Sequence, residues 1–244
     1  MRLKNKVVLI TGASSGLGKA TTIEFAKKNC KLILVARRID KLEELKRRLF
    51  NINRNILIVK ADIGNSKDIT NLFKIIKINH GYLNILVNNA GRGLNANLLD
   101  ITEEEWDSVH NVNVKGVFLV TKEAVKLMKY SKKSAHIVTV SSIAGLYGAP
   151  GYSAYCSSKH AVTGFKRSLR FELWKFGIKT STIFPARINT DFFSNYQNKP
   201  SSKQMLSPKD IAQYLVAMAE RKFILSKYLK IRNIFKRIIT LIVK

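Results

Sequence analysis

Tyr155 and Lys159 stand at i and i+4 in Tyr155-Cys156-Ser157-Ser158-Lys159, a spacing that puts both side chains on one face of a helix. A phenol beside an ammonium is a proton-transfer pair. The unperturbed phenol pKa is about 10, too high for efficient exchange near neutral pH, and a nearby cation favours the phenolate. Ser142 adds a hydroxyl just after a β-rich run, and Asn113 adds a carboxamide inside a helical pattern. Each has an ordinary role open to it: Tyr155 in a half-buried core, Ser142 as a helix cap, Asn113 as a hydrogen bonder in a kinked helix. The Tyr155 and Lys159 pair could serve where an oxygen gains or loses a proton.

A second chemistry sits near the N-terminus, in Thr11-Gly12-Ala13-Ser14-Ser15-Gly16-Leu17-Gly18. Three glycines between a strand and a helix let the backbone curl tightly and approach a pyrophosphate, which the helix N-terminus then meets with unpaired N–H groups. The spacing is G-x-x-x-G-x-G rather than the commoner G-x-G-x-x-G. About 20 residues further on, an acid would receive the ribose 2′-hydroxyl of NAD, but the sequence reads Ala36-Arg37-Arg38. Two guanidinium groups suit a 2′-phosphate. NADP(H) is therefore expected in preference to NAD(H), the alternative being that both arginines are surface residues of a basic chain. Asp40 falls where the next helix is expected to be N-capped.

The elements that must position these groups alternate regularly. Strands are expected at Val7–Ile10, Leu32–Val35, Ile56–Val59, Ile85–Val87, His136–Val140 and Thr180–Phe184, mostly as continuous apolar runs of the kind covered on both faces. Helical patterns lie between and after them, near 17–28, 40–50, 66–79, 102–129, 154–176 and 208–220. This alternation predicts an α/β fold, a single-domain doubly wound parallel sheet of Rossmann type with helices on both faces. No Pro-rich or Gly/Ser-rich linker divides it. The reading gives one catalytic and dinucleotide-binding domain over 1–220 and a separate C-terminal segment over 221–244. Ser142 then leaves a strand at the sheet edge where the glycine turn holds phosphate.

At these residues the chain resembles the short-chain dehydrogenase/reductase family. The likeness rests on T-G-x-x-x-G-x-G at 11–18, Asn88-Asn89-Ala90-Gly91, Asn113, Ser142 and Y-x-x-x-K at 155–159, in family order, and runs from about 5 to 220. The arginines after the second strand look like those of NADP-preferring members. The resemblance implies hydride transfer between NADP(H) and a carbonyl/alcohol pair. Tyr155 would exchange the proton, Lys159 would lower its pKa and hold the nicotinamide ribose, Ser142 would hold the substrate oxygen, and Asn113 would position a water feeding Lys159. It also implies cofactor contacts from Gly12, Ser14, Ser15, Gly16, Leu17, Gly18, Arg37 and Arg38. Asp62 and Ile63 would meet the adenine, and Asn89, Ala90 and Gly91 the adenine ribose. Pro185, Ile188 and Thr190 would meet the nicotinamide amide, although Ala186 stands where the family has glycine. A homo-oligomer is expected by the same analogy.

Composition bounds the rest. In 244 residues, 46% hydrophobic and 24% charged, wholesale disorder is excluded. The two cysteines, Cys30 and Cys156, provide neither a disulfide framework nor a cysteine-rich zinc site, and no metal is expected. With no signal-like or spanning apolar stretch, the expected address is cytoplasmic. Lys and Arg outnumber Asp and Glu 43 to 16, a net +27, which suits an anionic partner or reflects compositional drift. Ile224, Tyr228, Ile231, Phe235, Ile238 and Ile242 form an amphipathic stripe among Lys227, Lys230, Arg232, Lys236 and Arg237. Such a helix fits peripheral contact with an anionic membrane surface, or packing on the body or a partner subunit. The polar segment 191–207 stands where the family places its substrate lid. Its Phe192, Phe193 and Tyr196 fit either an apolar, lipid-like substrate or simple packing. Two other functions compete: a nucleic-acid-binding protein, for which no binding motif is present, and a catalytically silent dinucleotide-binding scaffold.

Overall fold

The computed structural model describes residues 3–129, 131, 135–193 and 205–220. Six strands, β1 (Val7–Thr11), β2 (Lys31–Ala36), β3 (Ile56–Lys60), β4 (Ile85–Asn88), β5 (Ala135–Val140) and β6 (Ile178–Ile183), form one sheet in the order β3-β2-β1-β4-β5-β6. Every pairing is parallel; Ile10 of β1, for example, lies beside Leu34 on one side and Val87 on the other. All five residues of β1 are buried. Its Val7 and Leu9 face one apolar cluster, and Val8 and Ile10 face another across the sheet. This is why the strand reads as an unbroken apolar run, each side chain meeting a helical layer on one face or the other. The fold is a doubly wound, Rossmann-like α/β sheet.

The helices are α1 (Gly16–Ala26), α2 (Ile39–Leu49), α3 (Ser66–His80), α4 (Glu103–His110), α5 (Val117–Lys129), α6 (Ser153–Trp174) and α7 (Pro208–Glu220). Local chemistry sets several boundaries. Asn65 caps α3 by accepting from the Lys67 and Asp68 N–H groups, and Gly81 ends it at φ 71°. Thr102 and Glu105 form a reciprocal capping box at the start of α4. Two local expectations change. The N-cap of α2 is Arg38, with Asp40 inside the first turn, where it meets the helix dipole rather than capping. The pattern over 102–129 is also not one helix, because Asn111–Gly116 forms a π turn between α4 and α5. Gly116 permits that turn, since a Cβ there would sit 2.5 Å from the Ile63 carbonyl oxygen.

After β3 the chain crosses to the far side of β1, so the connections after β1 and β4 diverge and leave a crevice at the strands' carboxyl ends. No helix among the described residues is long and apolar enough to cross a membrane. The segment 221–244, most of the proposed lid (194–204) and Tyr196 lie outside the described residues.

Candidate active site

The glycine turn is built by backbone conformation and close approach. Gly12 and Gly16 adopt φ 67° and 52°, where a side chain is strained. Gly18 lies so close to Gly12 that a methyl group would run into its carbonyl oxygen and stand 2.6 Å from Asn89 Nδ2. Asn89 fastens the turn from the next strand: its Nδ2 donates to the Thr11 carbonyl (2.9 Å) and reaches that of Gly12 (3.3 Å). Thr11 reciprocates, its Oγ1 accepting from the Asn89 and Ala90 N–H groups at 3.1 Å each. Thr11 is thus a site-building residue that its place in the motif gave no reason to single out. Ser15, the N-cap of α1, makes no side-chain cap, which leaves the first N–H groups of the helix for an anion. Gly18→Ala is expected to destabilise the fold by about 1–3 kcal/mol in denaturant titration, as overpacking does, and to abolish dinucleotide binding.

At the ends of β2 and β3 the two arginines differ. Arg38 Nη2 donates to Ser15 Oγ at 3.0 Å and reaches Ser14 Oγ at 3.5 Å, so its guanidinium lies against the phosphate turn. Arg37, exposed like Arg38, stands 3.9 Å from Asp62 Oδ2. The other Asp62 oxygen accepts from the Gly64 N–H at 2.8 Å. Asn88 does not reach the crevice surface; it is buried, and its Nδ2 donates to Thr121 Oγ1 on α5 at 2.9 Å.

Opposite the turn, β5 is followed by Ser141-Ser142, and α6 carries Tyr155 in its first turn. Ser142 caps a short 3-10 turn by accepting from the Ala144 N–H at 3.1 Å. The Ile143 N–H donates to the Pro185 carbonyl at 3.1 Å, joining this wall to the Pro185–Thr190 stretch. Ala186 packs into the neighbouring apolar cluster, and Thr190 lies over Gly16. Burial pushes the half-buried Tyr155 phenol up to about 12, opposed by its hydrogen bond with Ser142. The expected lowering by Lys159 is thus not what dominates here. Lys159 is itself buried, its Nζ donating only weakly to the Val140 carbonyl (3.4 Å) and standing 5.6 Å from the Tyr155 ring centroid. Burial brings its pKa down to about 8.

Asn113, on the π turn, is nearly fully buried. Its Oδ1 accepts from the Arg92 N–H (2.8 Å), and its Nδ2 donates to the Arg92 carbonyl (2.8 Å) and to Ser158 Oγ (2.9 Å). It therefore ties the Gly91-Arg92 loop to α6 beside Lys159. Gly91 lies between them: a Cβ there would stand 3.4 Å from Asn113 Oδ1 and 3.5 Å from Lys159 Nζ, in ordinary contact with both.

These walls enclose one open cleft of about 710 Å³. It brings together Gly12, Ser14, Ser15, Gly16, Leu17, Gly18, Arg37, Arg38, Asp62, Ile63, Asn89, Ala90 and Gly91 with Ser142, Tyr155, Lys159, Pro185, Ile188 and Thr190. Asn113 stands behind the wall. Tyr147, Tyr152 and Phe192 complete the mouth, and the Phe192 ring is 5.7 Å from that of Tyr155. The sequence points to Phe192 but not to Tyr147 and Tyr152, whose only sequence signal is the Gly148-Ala149-Pro150-Gly151 loop between them. A volume within the usual range for ligand sites, a turn that admits no side chain and open helix N–H groups all fit a dinucleotide.

The chain is similar to known oxidoreductases in sequence and in fold. An uncharacterized oxidoreductase of Listeria monocytogenes is 37% identical over 209 residues, covering 85% of this chain and 84% of that one. One of Staphylococcus aureus is 31% identical over 223 residues, 91% and 94% of the two chains. A short chain dehydrogenase/reductase from Burkholderia phymatum, solved in complex with NAD, superposes with a TM-score of 0.82 at 26% identity over 95% of this chain and 93% of that chain. The 3-ketoacyl-(acyl-carrier-protein) reductase of Brucella melitensis, complexed with NADH, gives 0.82 at 28% identity, covering 89% and 91%. The family model for short chain dehydrogenases matches residues 6–201, a span that holds the glycine turn, Ser142, Tyr155 and Lys159 alike, and the chain belongs to that family.

Proposed function

We propose that the protein is an NADP(H)-dependent oxidoreductase that interconverts a carbonyl and an alcohol, with Tyr155 as the proton-exchanging group. The observation that carries this reading is the single cleft with the phosphate-cradling turn at one end and Ser142, Tyr155 and Lys159 at the other. A bound nicotinamide dinucleotide would supply hydride transfer to or from the carbonyl carbon. The glycine turn and the N-terminus of α1 would hold its pyrophosphate, and Asn89, Asp62 and Ile63 its adenosine half.

The protein's own part is orientation and proton supply. Ser142 and Tyr155 are hydrogen-bonded to each other, so a carbonyl oxygen accepting from both hydroxyls would be fixed between them. With a pKa of about 12, Tyr155 carries its proton at neutral pH and can give it to the developing alkoxide. Lys159, with a pKa of about 8, is the stronger acid of the two and recharges the phenol across a bridging water. Asn113 holds the Gly91-Arg92 loop beside Lys159, and a water reaching Lys159 past this loop would resupply its proton. Tyr147, Tyr152 and Phe192 suit an apolar, lipid-like body on the substrate. An intact Ser142, Tyr155 and Lys159 set argues against a silent scaffold, and family membership does not favour nucleic-acid binding as the use of the +27 charge.

The two solved neighbours hold NAD and NADH; the preference for NADP(H) here rests on Arg38 against the Ser14 and Ser15 hydroxyls. Charge-assisted hydrogen bonds to a 2′-phosphate are worth about 1.5–3 kcal/mol each. Arg38→Ala is therefore expected to raise KM for NADPH about 10- to 100-fold and to leave KM for NADH nearly unchanged. The deciding experiment follows nicotinamide absorbance over a panel of ketones, aldehydes and alcohols with each cofactor. Equal kcat/KM for NADH and NADPH in the wild-type protein would overturn the cofactor assignment, and no turnover of any pair would overturn the reading as a whole.

A further inference from the structure

Lys166 lies on the inward face of α6, two turns beyond Lys159, and is only 3% exposed. Its Nζ is buried and, among the described residues, has no hydrogen-bond partner. A buried ammonium without partners is among the most costly arrangements a fold can hold, and burial alone brings this one down to about 7. The surroundings add positive charge instead of relieving it. Lys166 lines a cavity of about 190 Å³ between α6 and β6 that Arg167 and Arg170 also line, and among the described residues no Asp or Glu faces it. Among the described residues, none of the three cations is in a salt bridge.

The remaining walls are hydroxyls and aromatic rings. Thr180 and Thr182 line the cavity from β6; by strand alternation they share the face of Ile178, which packs with Leu169 and Leu173 of α6. Thr182 pairs in register with Thr139 of β5, whose buried Oγ1 is likewise without a partner. Phe171 and Phe184 supply apolar surface. Cations, hydroxyls and rings, with no carboxylate among the described residues, are complementary to an oxyanion carrying a short apolar group. A buried polar atom without a partner needs an explanation, and an anion beside three cations would supply one.

The geometry points to a second ligand site, separate from the dinucleotide cleft: an oxyanion pocket in which Lys166, Arg167 and Arg170 take the charged head and Phe171 and Phe184 the apolar part. A phosphate monoester and a short aliphatic carboxylate share this chemistry. The site does not depend on the redox reading, and its test uses no turnover.

The test titrates the full-length protein calorimetrically with orthophosphate and with butyrate, alongside thermal unfolding in each anion and in sodium chloride at equal ionic strength. The glycine turn also attracts phosphate, so the decisive quantity is the difference between wild type and Lys166→Met. Methionine fills similar space without charge, and the variant is expected to melt higher than wild type in the absence of anion. Its loss of binding therefore cannot be loss of fold. In wild type, at least one of the two anions should raise Tm beyond the chloride control, as a ligand of the native state does. Lys166→Met should weaken that binding by about tenfold or more, and Arg170→Ala should weaken it less with Tm unchanged. Phosphate alone would mark a phosphate-ester site, and butyrate stronger than phosphate a carboxylate site. Binding in Lys166→Met equal to wild type, or no anion effect beyond chloride, would overturn the proposal.

Discussion

Tyr155→Phe is expected to lower kcat for carbonyl reduction by about 10²–10⁴-fold, the usual contribution of a positioned acid, with Tm and dinucleotide affinity unchanged. The substitution removes one oxygen. The ring stays against Phe192, so the mouth of the cleft keeps its shape and substrate still enters. What disappears is the proton donor and the partner of the Ser142 hydroxyl. Ser142 cannot take over, because an alkyl hydroxyl is a far weaker acid than a phenol and donates a hydrogen bond without giving up its proton. Loss should appear in kcat more than in KM, since the missing interaction matters most as the alkoxide develops. Deuterated cofactor supplies an independent readout: with proton delivery crippled, chemistry limits the rate and the isotope effect on kcat should grow. Wild-type turnover in this variant would take Tyr155 out of the mechanism.

The parts of this molecule legible in its sequence are those set by local chemistry. The strands declare themselves because each must satisfy two apolar clusters at once, as the alternate residues of β1 do. The glycine turn declares itself because Gly18 has no room for a methyl group, a restriction no other residue type meets. What could not be read depends on partners distant in the chain. The π turn at Asn111–Gly116 looks like continuing helix by periodicity; its key residue, Asn113, bonds to Arg92 and Ser158 across the crevice wall. Thr11 is one more β-branched residue until the Asn89 and Ala90 N–H groups converge on its hydroxyl. Lys166 is one lysine among many in a basic chain until the wall of β6 buries it. The direction of the Tyr155 shift is of the same kind: the i, i+4 spacing brings a cation near, but burial acts on the phenol more strongly than that cation does.

That last point makes the pH dependence of the reaction diagnostic. In the protein alone, burial holds Tyr155 near 12 and Lys159 near 8, so raising the pH from neutrality deprotonates the amine well before the phenol. Reduction consumes a proton, delivered by Tyr155 and restored through Lys159. The rate of reduction should therefore be level below the lysine pKa and fall as pH rises through about 8, while Tyr155 is still protonated. If the phenol itself set the alkaline limb, the fall would come near 12. Lys159→Met removes both the charge and the titration, so it is expected to cut kcat/KM at neutral pH by about 10²-fold and to abolish the limb near 8. Lys159→Arg separates the two roles: its charge persists at every accessible pH, so it should keep the cationic field, move the limb to higher pH and relay protons poorly. A limb that stays near 8 in the methionine variant would assign the titration to another group, and Lys159 would then serve orientation alone.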